Sequence, residues 1–102
     1  MRALVKTSPG IGMELRDVPV PACGPNDVLI RVHHAGVCGT DLHAFKGRQP
    51  FFTYPRILGH EVAAEVVALG EGVVNLQVGD LCTVMPYRNE REDQAVRRGL
   101  TN

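Results

Sequence analysis

A chain of 102 residues in which eleven basic side chains cancel eleven acidic ones has no electrostatic grip on nucleic acid or an anionic membrane surface. A hydrophobic fraction of 44% suits one packed domain over residues 1–102, and no apolar run approaches the ~20 residues that span a bilayer. No signal-peptide h-region opens the chain, so the cytoplasm is the expected compartment, and three cysteines, an odd number, argue against a disulfide framework.

Short apolar runs punctuated by Pro and Gly predict an all-β domain with helix only in short pieces. Ala3 to Lys6 and Met13 to Val18 read as a hairpin across a turn from Ser8 to Gly12. Cys23, inside Pro-Ala-Cys-Gly-Pro, is expected at the surface. Val28, Ile30 and Val32 alternate with Leu29, Arg31 and His33, the pattern of a strand with one preferred face. His33 and His34 carry no partner signal and read as surface strand positions. A helix is predicted from about Thr40 to Lys46, with Thr40 or Asp41 as N-cap. Glu61 to Leu69 reads as a mostly buried strand, and Leu81 to Met85 as another with Cys82 in the core. Between them, Gly70-Glu71-Gly72 lacks the third glycine of a dinucleotide fingerprint and reads as a turn. Residues 89–99 predict a helix. Asn89 and Glu92 have capping-box spacing, Glu90 and Asp93 add charge to the first turn, Arg97 and Arg98 sit in the last, and Gly99 follows as the stop.

The chemistry concentrates in Cys38-Gly39-Thr40-Asp41 and Gly59-His60-Glu61. A thiolate and an imidazole on separate loops are the donors zinc takes from a protein. Each residue also has a plainer reading: Cys38 as a small buried hydrophobe, Thr40 as a helix cap, His43 as part of a solvated helix face.

The runs Gly24-Pro25-Asn26-Asp27-Val28, Gly36-Val37-Cys38-Gly39-Thr40-Asp41-Leu42-His43, Pro55-Arg56-Ile57-Leu58-Gly59-His60-Glu61 and Val78-Gly79-Asp80 together resemble the N-terminal catalytic domain of the zinc-dependent medium-chain alcohol dehydrogenases. Cys-Gly-Thr-Asp-Leu-His is similar to the polyol, threonine and sugar-acid branch rather than the ethanol branch. The resemblance implies a GroES-like, partly open β-barrel. It implies Cys38 and His60 as zinc ligands; Glu61, beside His60, is an alternative ligand or an electrostatic tuner of the metal, and Asp41 a further carboxylate that could swing in. It also implies Thr40 at the start of a proton relay that His43 extends, a small-molecule alcohol or polyol as substrate, and NAD(P) as oxidant in full-length relatives. Cys38, His60, Thr40 and Glu61 are expected around one shared pocket.

Three departures qualify the resemblance. Ala64 stands where the family usually has glycine. Glu90, Asp93 and Val96 occupy positions where relatives with a structural zinc carry cysteine, so that second zinc is expected to be lost and the 89–99 helix to replace its lobe. The third catalytic-zinc ligand and the nucleotide-binding motif are expected beyond residue 102, which would leave this chain binding zinc weakly or not at all and inactive alone. An apolar face uncovered by the missing partner domain would then favour a homo-oligomer. A non-enzymatic GroES-like structural or interaction module with a vestigial zinc site, natural or engineered, is the alternative, and a residual metal-binding protein a third.

Overall fold

The protein, a computed structural model describing residues 1–86 and 94–99, is built from two small antiparallel sheets and short helices. β1 (Arg2–Lys6) turns back into β2 (Glu14–Asp17), with Arg2 opposite Asp17 and Val5 opposite Glu14. This is the predicted hairpin. The other edge of β1 pairs with β4 (Arg56–Ile57), Val5 opposite Ile57 and Lys6 opposite Arg56. The second sheet has the order β3-β5-β6, from β3 (Val28–Ala35), β5 (Val62–Leu69) and β6 (Leu81–Cys82). Helix α1 covers Gly39–Phe45 and one turn, α2, covers Gln94–Arg97. The described residues form two three-stranded sheets rather than a closed barrel. None of their helices is long and apolar enough to cross a membrane.

The core is narrow. Among the described residues Val5, Ala44, Ala64 and Val66 are the buried apolar ones, and Val66 is completely enclosed. Ala64 pairs with Val32 on one side and Cys82 on the other at 3% exposure, so the methyl group carried in place of the family's glycine fills the centre of the second sheet. Lys6 is buried as deeply, and its ammonium donates to the carbonyls of Gly10 and Gly12. The total accessible surface of 8093 Å² exceeds the roughly 5,700 Å² of a compact monomer of this mass. Leu4, Leu15, Val20, Val32 and Leu81 are among the large side chains left exposed.

Several expectations need correction. β3 does not alternate cleanly, because its register with β5 shifts between Leu29 and Ile30 and again between Val32 and His34. At the second shift His33 is the extra residue, as in a β-bulge. β4 was not anticipated. β6 is two residues long, with Thr83 to Met85 outside it. Cys82 is half-buried rather than sealed in the core, and Cys23 is half-buried rather than exposed, its thiol donating to the Asp27 carbonyl at 3.4 Å. The Gly70-Glu71-Gly72 run is the expected turn; its glycine N–H groups donate to Asp27 and Pro25 carbonyls at 2.8 Å each. Of the predicted 89–99 helix, residues 89 to 93, with the capping-box and first-turn acids, lie outside the described residues. Gln94–Arg97 is helical, and the Gly99 N–H donates to Val96 at 2.9 Å.

Candidate metal centre

The β3–β5 ladder ends with Ala35 opposite Val62, and one more bond, from the Gly36 N–H to the Glu61 carbonyl at 2.7 Å, carries the pairing past the strand ends. Cys38 lies two residues beyond Gly36, and His60 immediately precedes Glu61. The zipper that holds the sheet therefore delivers both to one place. Gly59 adopts φ +110°, a left-handed conformation that a side chain would oppose, and this turns the chain leaving β4 toward the cysteine.

Cys38 is itself the N-cap of α1, in extended conformation at φ −108° and ψ −179°. The predicted start, at Thr40 or Asp41, is thus corrected. Asp41 is the third helical residue, and its Oδ2 reaches back to accept the Cys38 N–H at 3.0 Å, the returning half of a capping box. Thr40 turns its Oγ1 to within 2.8 Å of the Cys38 Sγ. Across the gap, the His60 Nε2 lies 3.6 Å from the same sulfur. The ligand atoms of Cys38, Asp41 and His60 all lie within 4.8 Å of one another, with Asp41 buried and the other two half-buried.

These distances can be compared with what zinc requires. Bonds of about 2.3 Å to sulfur and about 2.0–2.1 Å to nitrogen, at a tetrahedral angle, put the two donor atoms roughly 3.5 to 3.6 Å apart. The Sγ–Nε2 separation of 3.6 Å matches that span. A soft thiolate, a borderline imidazole and a hard carboxylate form a donor set suited to a borderline metal. The residues present therefore fit zinc.

Glu61 stands apart from this trio. A methyl group added at Gly36 would fall 2.7 Å from the Glu61 Oε2, so the carboxylate folds over Gly36. It lines, with His34, His60, Thr83 and Val84, an open cleft of about 570 Å³. His60 lines that cleft and also approaches the Cys38 sulfur, so it borders both the cleft and the Cys38–Thr40 contact. His43, one turn beyond Thr40, is exposed on α1.

His33 is the expected exposed strand residue, and it has a partner for which the sequence carried no signal. Its Nε2 lies 3.1 Å from the Glu65 Oε2, with Arg31 at 3.8 Å from the same oxygen. Ordinary alternation already puts His33 on the face of Arg31, which stands opposite Glu65, so the long Glu65 side chain reaches both.

Comparison with known proteins adds to this geometry. Residues 24–102 match the family model of the alcohol dehydrogenase GroES-like domain. The L-galactonate-5-dehydrogenase of Escherichia coli (strain K12) is 45% identical over 87 residues, which is 85% of this chain and 25% of that protein. The L-threonine 3-dehydrogenase of Pyrococcus horikoshii is 45% identical over 102 residues, 97% of this chain and 29% of that one. A solved structure from Sinorhizobium meliloti 1021, of a protein taken to be a zinc-binding dehydrogenase and bound to NADP, superposes with a TM-score of 0.89 at 33% identity, covering 98% of this chain and 29% of that chain. The chain thus spans less than a third of the length of these relatives.

Proposed function

We infer function from kinship: this chain belongs to the alcohol dehydrogenase GroES-like domain family, and we propose that it supplies the metal and proton side of a zinc-dependent dehydrogenase acting on a small alcohol or polyol. One observation carries the reading. A thiol and an imidazole from two separate loops stand at the separation that a shared tetrahedral zinc would impose.

In this reading Cys38 and His60 hold the metal, and Asp41 is the carboxylate nearest to joining them. Glu61 adjoins His60 and tunes the site electrostatically from the cleft. Zinc, when bound, polarises an alcohol oxygen and makes its proton easier to remove. The Thr40 hydroxyl, in contact with the Cys38 sulfur, would accept that proton while giving up its own, and the exposed His43 on the next helical turn would carry the released proton to solvent. A nicotinamide dinucleotide takes the hydride in such a reaction. Its binding is assigned to the portion of the relatives that residues 1–102 do not cover. The galactonate and threonine enzymes point to a hydroxy-acid or polyol substrate.

Three unpaired cysteines suit a reducing compartment, so we place the protein in the cytoplasm. Val20, Ile30 and Val32 border an open groove of about 830 Å³ with Met1 and Val67, which favours association of copies through that face.

The test has two stages. Zinc binding, measured by competition with a chromophoric chelator, should be abolished by Cys38→Ala and by His60→Ala and retained in Cys82→Ala. A chimera in which residues 1–102 replace the equivalent span of the Escherichia coli galactonate dehydrogenase should then reduce a nicotinamide dinucleotide and fail to do so with Cys38→Ser. Zinc retained in both ligand variants, or a zinc-loaded chimera without turnover, would overturn the reading.

A further inference from the structure

The Gly36–Glu61 bond holds Cys38 and His60 together on the β3–β5 side, and on the opposite side the segments that carry them both reach one further residue. Cys38 caps α1 and Asp41 lies in its first turn, and the far end of that helix docks on the turn between β1 and β2. There the Gly12 N–H donates to the Phe45 carbonyl at 2.8 Å. Gly47, just past the helix at φ +71°, lies so near that turn that an added methyl group would collide with the Pro9 carbonyl oxygen. His60 lies in the loop that follows β4, and β4 hangs on β1 through the pairs Val5 with Ile57 and Lys6 with Arg56.

Lys6 is the junction. Its backbone lies opposite Arg56 in the ladder that carries the His60 arm. Its side chain is 1% exposed and donates to the carbonyls of Gly10 and Gly12, the two sides of the turn that carries the Cys38 arm. A lysine is rarely buried to this degree unless its ammonium is satisfied, because removing the charge from water is costly. Here carbonyl oxygens satisfy it, and among the described residues no carboxylate forms an ion pair with it. The ammonium draws the Gly10 and Gly12 carbonyls inward, which leaves the Gly12 N–H facing Phe45.

We propose that Lys6 is a positioning residue for the Cys38–His60 pair. It locks the β1–β2 turn against the end of α1 while its strand anchors β4, and so fixes the separation of the two side chains. The inference rests on the metal reading only where metal affinity is the readout; the geometry it assigns exists without metal.

The test uses the full chain and two readouts. The first is the nuclear Overhauser contact between the Cys38 β-protons and the His60 ring protons, measured without metal. The second is the affinity and visible absorption of bound Co²⁺. Lys6→Met keeps the length and apolar body of the side chain and removes its donors. At a temperature where the variant is fully folded, the contact should be lost, the cobalt d–d bands should lose intensity, and Co²⁺ affinity should fall about tenfold. A purely structural lysine would lower the melting temperature and leave the contact and the cobalt spectrum of the folded protein unchanged; that result overturns the proposal. If Lys6→Met does not fold, Gly47→Ala decides. It forces the same turn away from α1 with Lys6 intact, and it should weaken the contact; an unchanged contact overturns the proposal. An unsubstituted chain that shows the contact but binds no Co²⁺ would remove the metal reading and leave the role of Lys6 to be settled by the contact alone. An unsubstituted chain without the contact would overturn the role itself.

Discussion

Replacing Asp41 removes a group that holds the helix and the candidate centre together. The side chain is 9% exposed, and its Oδ2 accepts the Cys38 N–H at 3.0 Å. A hydrogen bond to a charged acceptor contributes about 1.5–3 kcal/mol, and its loss here also strands a backbone N–H at the helix start. Asp41→Ala should therefore cost about 2 kcal/mol. Asp41→Asn keeps an acceptor oxygen and loses the charge, so it should cost about 1 kcal/mol. For a domain of this size the alanine variant should melt roughly 8 to 16 °C lower. Urea titration gives the free energies, and a chelator competition on the same samples gives zinc affinity. An asparagine variant that recovers stability but not affinity would mark the carboxylate as part of the metal environment as well as the cap. An alanine variant within about 0.5 kcal/mol of the unsubstituted chain, the range of an ordinary surface substitution, would refute the reasoning.

Three further outcomes follow from the same structure. Val66→Ala, at a fully enclosed position, should cost about 2 kcal/mol, whereas Val74→Ala, at 92% exposure, should stay within about 0.5 kcal/mol in the same urea titration. Hydrogen bonding from Arg16, then from Thr7, holds the Glu14 carboxyl below its usual range. Its stabilising effect should be present above the ordinary glutamate pKa and disappear as pH falls through the lowered folded value, so Glu14→Gln should flatten part of the acid limb of a stability–pH curve. Sedimentation velocity should show self-association that rises with concentration and weakens on Val32→Asp at the exposed apolar groove; a clean monomer at high concentration would contradict it.

What the sequence made legible was local or carried by a motif. The hairpin followed from apolar runs either side of Ser8 to Gly12, and β5 from its Val- and Ala-rich stretch. The approach of Cys38 to His60 was legible only through resemblance, since no periodicity relates two loops 22 residues apart. The helix start was misplaced because cysteine is not a usual cap. The clue was Asp41 at capping-box distance from it, reaching back to the Cys38 N–H. β4 escaped notice because two residues after a proline show no alternation, and only pairing with β1 makes them a strand. The contact of His33 with Glu65 was not legible because it depends on which residue of β5 stands opposite Arg31, and cross-strand pairing leaves no mark in the pattern of one strand. Lys6 looked like an ordinary strand-end lysine. Its burial depends on carbonyls four and six residues on that converge only once the turn has formed.

The most direct test of the central claim is X-ray absorption at the zinc edge of the zinc-loaded chain. A centre built on Cys38 and His60 should show one sulfur scatterer at about 2.3 Å and an imidazole nitrogen at about 2.0–2.1 Å, with the sulfur lost in Cys38→Ala and the imidazole in His60→Ala. A first shell of oxygen and nitrogen alone, unchanged by either substitution, would contradict it.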